Sequence, residues 1–247
     1  MTNLKILKIK IGENFPALRL ICAVIIISFS AVVSVYKFSD LAGAVSAGFT
    51  AYETLLLILS DIINTVFIYM PAFIFIIAGD YENFGITEVI KTGSRRGLAF
   101  SGLIKTLIYT LIFFAVLIII NGAVSFEAFP VGNSWSRAFM GTARSFGFDI
   151  SVMTQPPFFY ITQRLILMFF LFLTVGMIYD LFKTLSDEGA VFPLTVLIGI
   201  GLALVIQTMT AVPPMMLIFV LFVIDIILYF ITMLILRVKD LRVPPQG

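Results

Sequence analysis

The chain has 247 residues, 60% of them hydrophobic and 12% charged, with a mean hydropathy of +1.11 and a formal net charge of +2. A soluble domain carries about 25% charged residues, so this composition cannot cover a water-facing surface and indicates an integral membrane protein. Histidine is absent, which removes the usual proton shuttle and the commonest metal ligand. The single cysteine, Cys22, cannot form an internal disulfide, and no long basic or acidic run points to nucleic acid.

Residues 1–16 form a basic, amphipathic N-terminal segment carrying Lys5, Lys8 and Lys10. A bilayer core of about 30 Å needs roughly 20 apolar residues as helix, and unpaired backbone polar groups are not tolerated in hydrocarbon. Six runs meet that need, approximately 17–36, 57–79, 103–124, 159–181, 191–211 and 214–236, and residues 237–247 remain as a tail. The expected fold is therefore all-α, a polytopic membrane protein with six transmembrane helices. The first run is too long for the apolar region of a signal peptide and is read as a retained span. The stretch 41–56 is less apolar, and is either an interfacial helix or an outward extension of the second span.

Lys and Arg mark the inner ends of spans. With both termini cytoplasmic, the inner side holds Lys5, Lys8, Lys10, Arg19, Lys91, Arg95, Arg96, Lys105, Lys183, Arg237, Lys239 and Arg242. The outer side holds Lys37, Arg137, Arg144 and Arg164. The longest outer loop, about 125–158, contains "FEAFPVGNSW" and "TQPPFFY" and reads as an ordered cap on the spans.

Catalytic patterns are missing. Ser-His-Asp and Cys-His sites need a histidine, and no Cys/His/carboxylate cluster offers zinc a site. The Gly97–Ile104 stretch "GLAFSGLI" has the glycine spacing of a phosphate-binding loop, but Leu103 and Ile104 stand where Lys and Ser/Thr must be. "IYD" (Ile178–Asp180) matches one half of an intramembrane aspartyl protease pair, and "AGDY" supplies too little of the other half. The chain is expected to bind no cofactor and to be no enzyme itself.

Ionisable groups inside spans are expensive and are functional candidates by default. Asp225 falls near the middle of the sixth run, and its bland reading is a protonated carboxyl bonded to Gln207 or to a tyrosine. Asp61 and Arg164 lie toward the outer ends of spans two and four, where they are able to pair. Gly199 and Ala203 make a small-xxx-small step in span five that permits close helix approach, within the subunit or across a dimer. The 26 Phe and 10 Met either line a path for an amphipathic substrate or face lipid and one another.

The longest polar interruption is "AGDYENFGITEVIKTGSRRGLAF", residues 78–100. Asp80, Glu82 and Asn83 suit a helix N-terminus. Ile86, Val89 and Ile90 then share one face, and Gly93 is placed to stop the helix. The spacing predicts a short amphipathic helix along the inner membrane surface, either an ordinary interfacial turn or a docking element.

Glu82, Gly85, Thr87, the apolar Ile86/Val89/Ile90 set, the Gly93-Ser94-Arg95 turn and Lys105 together resemble the permeases of ABC-2 type transporters. The family often reads Glu-x-Gly-Thr where this chain reads Glu-x-x-Gly-x-Thr, so the helix register differs by a residue. The likeness covers the whole chain in topology and about 78–105 in motif. It implies a coupling helix contacted by a separate cytoplasmic ATPase, with Glu82, Gly85, Ile86, Thr87, Ile90, Ser94 and Arg95 as coupling residues. Two such ATPases, carrying the ATP and magnesium, and a second permease, identical or homologous, would complete an exporter in the cell membrane. The rival reading is a non-transporting membrane protein, such as a bacteriocin-immunity or sensor partner.

Overall fold

The computed structural model describes residues 17–44, 48–78, 95–143, 148, 155–185, 190–209 and 212–238. The N-terminal segment, the expected coupling helix up to Ser94 and the end of the tail lie outside the described residues, as does the side chain of Arg95. Among the described residues the fold is all-helical. The elements are α1 (Ala17–Ala44), α2 (Ala51–Ser60), a π-helical turn (Asn64–Tyr69), α3 (Met70–Ile77), α4 (Arg95–Ala128), α5 (Arg137–Thr142), α6 (Pro157–Leu185), α7 (Val191–Thr208) and α8 (Pro214–Val238).

Five of these helices are long and apolar enough to cross a membrane: α1, α4, α6, α7 and α8. The pair α2 plus Asn64–Ile77, broken near Asp61 and bent by 61°, is long and apolar enough to make a sixth crossing when taken as one broken span. The chain is thus a multi-pass membrane protein. Prolines set two of the starts, since α6 opens on Pro157 and α8 on Pro214. Pro is suited to a first helical position because its missing N–H would have no helical partner there.

Several boundaries differ from the hydropathy reading. The first and third helices extend well past the expected 17–36 and 103–124, because polar residues such as Lys37, Asp40 and Arg96 continue the helix outside the apolar window. The uncertain stretch 41–56 divides: 41–44 completes α1, and 51–56 opens α2. The expected continuous span 57–79 is two helical pieces rather than one.

α6 is the central helix, with 56% of its apolar window buried, against 17% for α8 and 28% for α1, α4 and α7. α8 packs most extensively on α6, and α4 touches α1, α2, α3, α6 and α8. The middle of the bundle is closed by Phe73, Phe113 and Phe172, one each from α3, α4 and α6. Their ring centroids are 5.2–5.3 Å apart in tilted and edge-to-face arrangements. Each such pair is worth about 0.5–1.5 kcal/mol beyond its buried area. Outward faces are apolar too: Leu18, Ile21, Ile25 and Phe29 on α1, and Met215, Phe219, Phe222 and Phe230 on α8, are exposed. A helix apolar on both faces needs protein on one side and lipid on the other.

The described part of the loop after α4 forms a fitted cap over the α2 start. Thr50 and Glu53 make a reciprocal capping box, in which the Thr50 N–H donates to Glu53 Oε2 at 2.7 Å. The same fully buried carboxylate accepts the Ser136 N–H through Oε1. Ala51 N–H donates to Pro130 O (2.9 Å), and Trp135 Nε1–H to Gln155 O (2.8 Å). Trp135 stacks on Phe139, with centroids 5.1 Å apart.

Candidate functional site

Two polar seams cross the otherwise apolar interior. The first follows the break in the second span. A broken helix leaves carbonyls without helical partners, and in a membrane they must be satisfied by protein. Asn64 Nδ2 donates to Ile58 O at 3.4 Å, and Thr65 Oγ1 to Leu59 O at 3.2 Å, so side chains of the π-turn reach back to the end of α2. Asn64 also bridges to α1, accepting from Ser30 Oγ and donating to Ser34 Oγ, both at 2.8 Å. One turn on, Tyr69 donates its hydroxyl to Asn121 Oδ1 of α4 at 3.1 Å. Asn64, Thr65, Tyr69 and Asn121 are all buried. A π-turn inside a helix frequently marks a functional position, and broken spans carry the binding sites of many membrane transporters.

The second seam lies between α4, α6 and α8. Asp225, 7% exposed, meets Thr174 of α6, whose Oγ1 is 2.7 Å from Asp225 Oδ1. Asp225 Oδ2 has no hydrogen-bond partner. Two turns further along α8, Thr232 is buried with its hydroxyl likewise unpartnered. Thr232 lines a cavity of about 10 Å³ together with Gly102, Asp180 and Tyr229. Asp180 Oδ2 also accepts a hydrogen bond from Thr106 of α4. Gly176 makes this approach possible, since a Cβ there would lie 2.5 Å from Thr106 Cγ2.

The structure redistributes the residues singled out from sequence. Asp225 is central and buried as expected, but its partner is Thr174 rather than Gln207 or a tyrosine, because α8 packs on α6. Gln207, near the end of α7, has an unpartnered Oε1. Asp61 and Arg164 do not pair. Asp61 takes Lys37 of α1 at 2.8 Å and also caps the Ile63 N–H at 3.0 Å. Arg164 bonds the Tyr160 hydroxyl one turn away, through Nε at 3.2 Å and an Nη at 2.9 Å. Gly199 and Ala203 are buried within the chain. A Cβ on Gly199 would meet Met70 Cγ at 3.1 Å and Val175 Cγ1 at 3.3 Å, so this small-residue step serves packing inside the subunit.

Asn64, Asn121, Glu53 and the Thr106–Asp180 contact were missed from sequence. A signal existed for Glu53, because "TAYE" (Thr50–Glu53) has the capping-box spacing. Lone asparagines in the second and third apolar runs were the available sign of the first seam. Among the described residues no group of three or more His, Cys, Asp or Glu side chains is placed to hold a metal.

Comparison with protein-family models, with curated proteins and with solved structures gives no match for this chain.

Proposed function

We propose that this protein is the membrane-spanning subunit of an ATP-binding-cassette exporter, working with a second permease and driven by two separate cytoplasmic ATPases. ATP and magnesium would be held by those partners, and the substrate would be amphipathic: a peptide, a lipid or a drug. The observation that carries the reading is the 78–105 sequence pattern, an acidic start, apolar residues at helical spacing and Gly-Ser-Arg, between the second and third apolar runs. Its placement adds support. The pattern runs directly into α4, the helix that touches the first, second, fourth and sixth spans. A push on the loop would therefore reach most of the bundle through one rigid element.

A docking helix concentrates its energy in a few anchors, here Ile86 and Ile90, with Glu82 and Arg95 orienting the two ends. The test is a double variant, Ile86→Asp with Ile90→Asp, purified in lipid beside the wild type. Docking predicts loss of ATPase copurification while the permease still inserts with all its spans. If Arg95 and Arg96 act only as lipid anchors, worth about 1 kcal/mol per charge near an anionic surface, the aspartate pair will be mild. Wild-type ATPase retention by the double variant refutes the proposal.

A further inference from the structure

We propose that Asp225 is an intramembrane proton-binding site, its carboxyl carried as the neutral acid and donating a hydrogen bond to Thr174. The argument is a count of protons. Thr174 Oγ1 is 2.7 Å from Asp225 Oδ1 and 2.8 Å from Phe170 O. Both spacings are those of hydrogen bonds. A threonine hydroxyl has one proton to donate and two lone pairs to accept with, whereas a backbone carbonyl only accepts. If the hydroxyl donates to Phe170 O, as buried helical threonines do, the contact with Asp225 needs a proton from the carboxyl. If it donates to Asp225 instead, Phe170 O and Thr174 Oγ1 are left at 2.8 Å with no proton between them. The neutral carboxyl gives each contact its own proton, whereas an ionised one leaves Thr174 to divide a single proton between two acceptors.

The surroundings agree. An ionised carboxylate in this setting needs several donors or a cation. Asp225 has one hydroxyl neighbour, and its second oxygen has no partner at all. The ionisable side chains on the elements packed around it are Tyr160, Arg164, Tyr179, Asp180 and Lys183 of α6, with Arg96, Lys105, Tyr109 and Glu127 of α4. Tyr229 and Arg237 share its own helix. None of these is hydrogen-bonded or ion-paired to Asp225. A bound monovalent metal ion is the competing occupant. Such an ion needs several oxygen ligands around it, whereas Asp225 has one hydroxyl neighbour.

The proton is held on Oδ1 and shared toward Thr174 Oγ1, leaving Oδ2 as a free acceptor inside the seam. Further along that seam, the cavity beneath Thr232 is just large enough for about one water, and Asp180 borders it. The two carboxyls thus lie at successive levels of one helix interface.

The experiment is infrared spectroscopy of the full chain in lipid vesicles at neutral pH, in sodium-free buffer. The wild type should show the carbonyl stretch of a protonated carboxylic acid that is missing from Asp225→Asn. Thr174→Val removes the acceptor without touching the acid, so it should keep that band and shift it to the frequency of a less hydrogen-bonded acid. This second variant carries the test if Asp225→Asn does not fold. Absence of the band in the wild type, an unmoved band in Thr174→Val, or loss of the band on adding sodium would each overturn the proposal. The last result would assign the site to a cation.

Discussion

Lys37 Nζ lies 2.8 Å from Asp61 Oδ2, joining α1 to the bend of the second span. Asp61 is the C-cap of α2, its side chain also receives the Ile63 N–H, and its carbonyl accepts the Thr65 N–H. One residue therefore fixes the break from both sides. Lys37 is 55% exposed, so the ion pair itself contributes under about 1 kcal/mol. In a thermal-shift double-mutant cycle, Lys37→Met and Asp61→Asn should couple weakly but measurably. Asp61→Asn and Arg164→Gln should be additive, and coupling of the second pair as large as the first would contradict the observed pairing.

Asn64 is the hub of the first seam, so Asn64→Leu should cost more than any neighbouring polar change. Hydrogen bonds between membrane helices average about 0.6 kcal/mol each. Three bonds are lost in this variant, while the Ile58 carbonyl keeps the Asp61 N–H, so a loss of roughly 2 kcal/mol is expected. Ser30→Ala removes one bond and should cost about 0.6 kcal/mol. Equal unfolding midpoints for the two variants would show that the seam does not hold the broken span.

The glycines give a sharper comparison. Gly176→Ala forces its new methyl against Thr106 Cγ2, and Thr106 cannot rotate away without releasing Asp180. Overpacking of this kind costs about 1–3 kcal/mol. Gly201 has open space where its Cβ would be, so Gly201→Ala should be neutral or slightly stabilising through helix propensity. Reversal of that order in thermal unfolding would contradict the packing of α4 on α6.

Glu53→Ala should detach the outer cap from α2. Two backbone donors, Thr50 N–H and Ser136 N–H, lose their acceptor, at about 1–3 kcal/mol for each buried group left unpaired. Glu53→Gln keeps an acceptor oxygen and should lose roughly half as much. Limited proteolysis checks this directly, since cleavage near 129–137 should accelerate in the alanine variant and little in the glutamine one.

The spans were legible because each is a long apolar run, and lipid demands a helix wherever such a run crosses. The break at Asp61 was not legible. No proline or glycine marks it, and its carbonyls are satisfied by the Asp61 N–H and by the side chains of Asn64 and Thr65, which fold back onto them from later in the chain. Asp225 was found because a carboxylate in mid-span is rare, but its partner was not. Hydropathy gives depth, whereas partner choice depends on which way each helix is turned. The same limit misplaced Arg164, whose nearest acceptor is one turn away on its own helix.

The 34 residues of α4 correspond to a rod of about 51 Å, well beyond the ~30 Å of a bilayer core. A rod longer than its fulcrum region is a lever. It is gripped in the middle by the Phe73–Phe113–Phe172 contact, with Arg95 at one end and Ala128 beside the outer cap at the other. Rocking α4 by 10° about its centre would swing each tip by roughly 4 Å (from its helical rise), in opposite directions. Any such rocking would move the Arg95 end and the Ala128 end in opposite senses, so the two ends of the bundle would be geared to each other through one helix.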